Sequence, residues 1–120
     1  MGCCRGTRLA NAWWGPDAGG KSVWELTKKP LRSFGGPDWD REFHVWRMDW
    51  DRENIRLYVD DRLLNTIDLA KTVNPDGTNP FHQPQYLLLN LAIGSTGGDP
   101  SATEFPTRYE IDYVRVYQKE

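Results

Sequence analysis

The side chains of residues 42–50 alternate between an apolar face and a mixed face with a period of two residues, which is the period of a β-strand. Ile55, Leu57 and Val59 share a face after a polar turn. Asp60-Asp61 follows at the position of a two-residue hairpin turn. Residues 42–69 therefore predict consecutive strands that are joined by short turns.

Strands are also expected nearer both ends of the chain. The short apolar stretch 9–14 predicts a strand, whereas residues 21–40 contain prolines and glycines that predict a long surface loop. Residues 86–93 are the most apolar stretch and lie between Pro84 and Gly94, so they predict a central strand covered on both faces. The strands that we expect from residue 42 onward lie near 42–50, 54–59, 62–68, 85–93 and 108–118.

The predicted elements are strands throughout. No stretch has the pattern of a helix of three turns, and glycine and proline separate several of the strands. A length of 120 residues corresponds to one domain or to part of one. The fold class that we expect is all-β, arranged as a sandwich or jelly roll.

Charge and hydropathy argue against two kinds of partner. The net charge of −2 is too small to attract nucleic acid or an anionic membrane by itself. No apolar run approaches the roughly 20 residues that span a bilayer. Aromatic residues make up 12% of the chain, and such residues both fill β-sheet cores and stack on flat apolar surfaces such as sugar faces.

Three segments of the chain resemble glycoside hydrolase family 16. They are residues 43–60, with their Phe-His-Val-Trp-Arg-Met-Asp-Trp start, residues 80–94 and residues 112–117. The family has a concanavalin-like β-jelly roll of two curved sheets, and its members hydrolyse β-linked polysaccharides such as β-glucans and galactans with retention. The resemblance covers the family's second half only, so it implies this sandwich in an incomplete form.

The resemblance also implies that the catalytic motif of the family, Glu-x-Asp-x-x-Glu, is missing from this sequence. The end of that motif aligns with residues 1–6, where Gly2 takes the place of the acid/base glutamate. A retaining glycosidase needs two carboxyl groups about 5 Å apart. Glu110-Ile111-Asp112 begins like the motif, but position 115 is arginine. We therefore expect residues 1–120 to be the C-terminal part of a family 16-like domain, truncated and inactive alone, with no catalytic residue.

The first candidate substrate-binding residues lie near the N-terminus. By resemblance, the strand that contains Asn11 and Trp13 lines the concave cleft, and strand alternation places these two residues on one face. Trp13 stands where many relatives carry the histidine of His-Trp-Gly, and the alternative is that it packs in the core. Asn90 is a polar residue inside the apolar stretch 86–93, so its amide is expected either to face the cleft or to bond neighbouring backbone.

Two more candidate residues and one metal ligand complete the predicted sites. Arg47 lies on the mixed face of residues 42–50 and is expected to reach either substrate or a surface carboxylate. Gln83, in the loop before the apolar stretch, is also expected to bind substrate. Asp112 matches a position that binds a structural calcium in some family members. The family's other calcium ligands come from N-terminal regions that this sequence lacks, so we expect neither this site nor any other cofactor.

Three functional hypotheses remain open at the level of sequence. The chain is a truncated glycosidase of β-linked polysaccharides, a non-catalytic, lectin-like carbohydrate-binding module, or a gene fragment without a function. The expected partner is a polysaccharide, and exposed strand edges are expected to allow self-association. Members of the family are usually extracellular or periplasmic, although this sequence shows no signal peptide.

Overall fold

The structure is a computed structural model that describes residues 7–16, 22–36, 38–94 and 99–119. The chain divides into two compact units, residues 1–85 and residues 86–120. The first unit contains five strands in two antiparallel sheets, and its helical elements in the described residues are 3-10 turns of three residues each. The expected all-β class is therefore confirmed. No helix in the described residues is long and apolar enough to cross a membrane.

The first sheet is a hairpin of β1 (Thr7–Pro16) and β2 (Ser22–Pro30). The predicted strand at 9–14 is confirmed and is longer than expected. The prediction of a surface loop across residues 21–40 is wrong in its first half, because β2 occupies nine of those residues. The loop prediction rested on Pro30, Gly35, Gly36 and Pro37, of which only Pro30 belongs to β2, and proline is tolerated on an edge strand.

The second sheet has the order β3-β4-β5 and consists of β3 (Trp46–Trp50), β4 (Asn54–Val59) and β5 (Arg62–Asp68). The strands predicted at 54–59 and 62–68 are confirmed, and the one predicted at 42–50 begins at Trp46. Asp60 and Asp61 have φ angles of 46° and 62°. Positive φ at both central residues is the requirement of a type I′ hairpin turn, which aspartate tolerates.

The turn between β3 and β4 depends on the side chain of Asp51. Its Oδ1 accepts hydrogen bonds from the backbone N–H groups of Glu53 at 2.8 Å and Asn54 at 2.7 Å. These two bonds, with the nearby guanidinium of Arg56, hold the pKa of the Asp51 carboxyl below its usual value. Asp51 therefore shapes the turn between β3 and β4.

The core lies between the two sheets of the first unit. Ala12 and Trp14 from β1 pack with Ile55, Ile67 and Leu69. A neighbouring cluster joins Ala10, Val59 and Leu64, with Phe34 and Trp39 packed against it. Strand alternation explains why β1 contributes every second residue to this interior.

A β-bulge in the second sheet brings a polar residue into that interior. The pairing of β4 with β5 shifts between Leu57 and Tyr58, so Leu64 has no direct partner and both Leu64 and Asn65 are buried. The Asn65 side chain compensates for its burial because Nδ2 donates a 2.8 Å hydrogen bond to the Ala10 carbonyl oxygen. This bond ties β5 of one sheet to β1 of the other.

The second unit does not contain the strands predicted at 85–93 and 108–118. The described residues of this unit have no regular secondary structure, and apolar side chains such as Leu88, which is 72% exposed, lie open to solvent. The central strand covered on both faces is therefore a wrong prediction for this structure. Periodicity identifies residues with strand character, but a strand also needs a hydrogen-bonded neighbour, which a sequence pattern does not supply.

We predict that Asn65→Ala lowers the free energy of unfolding by about 1–3 kcal/mol, because the buried Ala10 carbonyl loses its amide donor. Thr66→Ala is the matched control, since Thr66 is the exposed neighbour on the same strand and surface changes usually stay within about 0.5 kcal/mol. Urea unfolding of the two variants gives the comparison. Equal losses would contradict the assigned role of Asn65.

Candidate functional site

The side of the β1–β2 hairpin that points away from the core carries two exposed tryptophans. Trp13 is 55% exposed and Trp24 is 58% exposed, while the adjacent Trp14 is buried at 7%. Asn11 and Leu26 lie on the same side, where they face each other across the two strands. We call the set Asn11, Trp13, Trp24 and Leu26 the outward face. The structure thus confirms that Asn11 and Trp13 share a face.

The two tryptophan rings of the outward face form a pair. Trp13 and Trp24 are direct partners in the register of the hairpin, and their ring centroids lie 6.1 Å apart with the planes tilted by 43°. Indole rings offer a broad apolar surface together with an N–H donor at the edge. Such a surface suits a ligand with flat apolar faces and hydroxyl groups around its rim.

Sequence reasoning missed Trp24 because it assigned residues 21–40 to a loop. A usable signal was present: antiparallel pairing of residues 7–14 with residues 23–30 places Trp13 directly opposite Trp24. That register becomes visible only once β2 is recognised as a strand.

A second group of exposed apolar side chains lies on β3 and has a different origin. Trp46, Met48 and Trp50 pair with Val59, Leu57 and Ile55, respectively. Val59 and Ile55 are buried in the core, so the β3 group belongs to the core-facing side of its sheet. These side chains extend the core-facing side of the second sheet beyond β4, onto its edge strand β3, and they are exposed there. The β3 group therefore differs from the outward face of β1–β2, which points away from the core.

Arg47 adopts the carboxylate alternative of the two that we expected. Its Nη1 lies 2.8 Å from Asp61 Oδ1, and its Nε lies 3.2 Å from Asp49 Oδ1. The guanidinium carbon also sits 4.1 Å from the centre of the Tyr58 ring. These contacts pair the Arg47 guanidinium with the carboxylates of Asp49 and Asp61.

The other predicted site residues lie outside the β1–β2 hairpin in the chain. Gln83 closes a 3-10 turn, where its backbone N–H donates to the Pro80 carbonyl at 3.3 Å. Asn90 and Asp112 are exposed residues of the second unit. Within the described residues no group of three or more histidine, cysteine, aspartate or glutamate side chains could hold a metal ion. Binding roles for Gln83 and Asn90, and calcium binding by Asp112, stay predictions.

His44 forms a clamp that the sequence did not reveal. Its Nδ1 lies 2.7 Å from Asp60 Oδ2, and its Nε2 bonds the Trp39 carbonyl oxygen. Asp60 also accepts from the Val45 N–H through Oδ1 at 3.0 Å. The clamp therefore fastens the segment before β3 to the β4–β5 turn.

The clamp sits inside a column of stacked rings. The His44 ring stacks on Trp39 with centroids 3.6 Å apart, and Trp39 stacks on Phe34 at 5.1 Å. The guanidinium of Arg62 covers the far end, 5.2 Å from the Phe34 ring centre. The column seals the edge of the core cluster around Ala10.

The hydrogen bonds of His44 favour its protonated form. A neutral imidazole has one N–H donor, whereas both ring nitrogens here face oxygen acceptors. Burial of the ring, whose side chain is 11% exposed, disfavours the charge. The Trp39 carbonyl and the Asp60 carboxylate outweigh that cost, with help from Glu42, so the pKa of His44 is raised above its ordinary value of 6.5.

Comparison with known proteins decides the family of the chain. The model of the glycosyl hydrolases family 16 matches residues 18–115. The chain belongs to family 16. This membership confirms the resemblance seen in the sequence, and the two antiparallel sheets are part of the family's jelly roll.

Similar proteins include two bacterial glucanases. The beta-glucanase of Rhodothermus marinus is 38% identical over 85 residues, which cover 64% of this chain and 29% of that protein. The glucan endo-1,3-beta-glucosidase A1 of Niallia circulans is 34% identical over 92 residues, which cover 71% of this chain and 14% of that protein. The chain thus spans less than a third of the length of these family 16 relatives.

A solved structure shares the fold of this family 16 chain. It comes from work on endo-acting O-glycanases that prominent members of the human gut microbiota express to initiate mucin breakdown. The TM-score is 0.53 at 28% identity, over 65% of this chain and 27% of that one. The fold assignment therefore rests on structure as well as on sequence.

We predict that His44 makes the stability of the chain pH-dependent. Because the folded-state pKa is raised above 6.5, the stabilisation is complete below that pH and is lost as the pH rises through the folded-state value. The measurement is the difference in free energy of unfolding between the wild type and His44→Gln, obtained from urea unfolding between about pH 5 and about pH 9. This difference, wild type minus variant, should fall with rising pH. Asp60→Asn should remove most of the slope, and a difference that is flat or rises with pH would contradict the clamp.

Proposed function

We propose that this chain supplies part of the sugar-binding cleft of a family 16 domain that acts on β-linked glucans. The observation that carries the proposal is the outward orientation of Trp13, on the side of β1 opposite the buried Trp14. A sandwich has one interior, and Trp14 already contributes to it. A large aromatic side chain that is exposed on the other side suits contact with a ligand.

Each residue of the proposed site has a role that follows from its chemistry. Trp13 stacks its ring on the apolar face of a sugar unit. The exposed amide of Asn11, two residues earlier on the same face, both donates to and accepts from sugar hydroxyls. Neither side chain carries a charge, which suits a neutral polysaccharide. Gln83 in the first unit and Asn90 in the second each stay a proposed substrate-binding residue, and Arg47 would have to leave Asp61 to bind substrate.

The names of the relatives support a glucan as the ligand. Besides the two glucanases, the beta-1,3-glucan-binding protein of Penaeus monodon is 39% identical over 72 residues, which cover 48% of this chain and 20% of that protein. Because this chain spans only a minor share of each relative, the substrate and the activity of the whole protein belong to the proposal.

Binding without catalysis is the second candidate function. A retaining family member needs two carboxyl groups, and the 120 residues contain no Glu-x-Asp-x-x-Glu. Asp49 is paired with Arg47, and Asp51 shapes a turn. Coding sequence upstream distinguishes the candidates: an in-frame motif favours the glycosidase, and a different in-frame sequence favours a binding module.

We predict that Trp13→Ala weakens binding of the 120-residue chain to laminarin by about tenfold or more, the loss typical of an aromatic anchor. Retardation in native gels that contain laminarin measures the affinity. Phe43→Ala is the control, because Phe43 is 69% exposed but lies outside the outward face. A wild-type chain that is not retarded, or a Trp13→Ala variant that is retarded equally, would contradict the proposal.

We also predict that the 120-residue chain releases no reducing sugar from laminarin, mixed-linkage glucan or agarose, because it lacks the pair of carboxyl groups. Glu110→Gln should change nothing, since Glu110 is 61% exposed and near Arg108. Activity that disappears with Glu110→Gln or Asp49→Asn would show that the catalytic carboxylates had been assigned wrongly.

A further inference from the structure

Trp24 has no role in the core that would explain a large exposed ring. It lies on β2 directly opposite Trp13, and its exposed fraction of 58% matches that of Trp13. The preceding residue, Val23, packs against the buried cluster of Trp14, so strand alternation turns Trp24 away from the core. Its one ring contact among those described is with Trp13.

We infer that Trp24 is a second stacking residue, and that the outward face binds at least two consecutive units of a neutral glucan chain. The inference rests on the proposed function, because it concerns the same cleft. It adds a residue, a minimum ligand length and a ligand charge, none of which follow from Trp13 alone.

The geometry of the two rings supports a chain over a single sugar. Their centroids are 6.1 Å apart, which is too far for one pyranose ring to stack fully on both indoles. Neighbouring units of one chain can each cover one ring. Because the planes are tilted by 43°, the ligand must turn between those units, and a flat ribbon cannot lie on both rings.

The charge around the face supports a neutral ligand. Asn11, Trp13, Trp24 and Leu26 carry no charge. Lys28 continues the same side of β2, four residues from Trp24 and thus about 13 Å along the strand. A cation at that distance lies beyond two sugar units, so among the described residues on this side of the hairpin no charged group lies directly beside the two rings.

The test compares ligands of different length on the wild-type 120-residue chain, on three variants of Trp24, and on Trp13→Ala and Lys28→Ala. Affinities for methyl β-glucoside and for laminaritriose are measured by fluorescence titration. In the wild type we expect laminaritriose to bind more tightly, and in Trp24→Ala we expect this advantage to shrink by about tenfold. Trp24→Tyr should keep most of it, because it retains a flat ring, whereas Trp24→Leu should lose it, because leucine is apolar but has no flat ring.

The outcomes distinguish failure of the inference about Trp24 from failure of the proposed function on which it rests. If Trp13→Ala weakens binding and Trp24→Ala does not, the second stacking residue is wrong and the proposed cleft stands. If the wild type does not bind laminaritriose, the proposed function itself fails. Equal binding by Trp24→Leu would overturn stacking, and tighter binding to a sulfated galactan that Lys28→Ala abolishes would overturn the neutral ligand. Circular dichroism confirms that each variant is folded as the wild type is.

Discussion

Burial of Trp14 is the interaction on which the rest of the account depends. Its indole packs with Ala12, Ile55, Ile67 and Leu69, and burying a side chain of this size contributes at least about 1.5–3 kcal/mol. In a strand, fixing one side chain inward fixes its neighbours outward. The core therefore holds Trp13 towards solvent, and the register of the hairpin then places Trp24 beside it.

Two sets of contacts beside the Ala10 cluster reinforce the first unit. Asn65 bonds the Ala10 backbone inside the interface, where an unmade hydrogen bond is expensive. His44 and Asp60, together with the ring column, bind the segment before β3 to the β4–β5 turn of the second sheet. The open side lies at β3, whose core-facing Trp46 and Met48 are 53% and 52% exposed. This edge is where self-association, which stays a prediction, would begin.

Local sequence patterns predicted the strands of residues 54–68 correctly. The features that the sequence did not predict depend on pairing between residues that are distant in the chain. Residues 54–68 have clear alternation and an Asp-Asp turn, so sequence sufficed there. The strand β2 was missed because the prolines and glycines from Pro30 onward predicted a loop across residues 21–40. Residues 86–93 were assigned to a strand although composition cannot provide a hydrogen-bonded neighbour. The contact of His44 with Asp60 depends on register, which a motif search does not see.

The family's motifs predicted Asn11 and Trp13, and the pairing of strands added Trp24. The most direct test of the central claim is an NMR titration that follows the indole N–H signals of the six tryptophans as laminaritriose is added. The account predicts that the signals of Trp13 and Trp24 shift, while that of the buried Trp14 shifts little. Shifts confined to Trp46 and Trp50, with Trp13 and Trp24 unchanged, would contradict it and place the ligand on the core-facing side of β3.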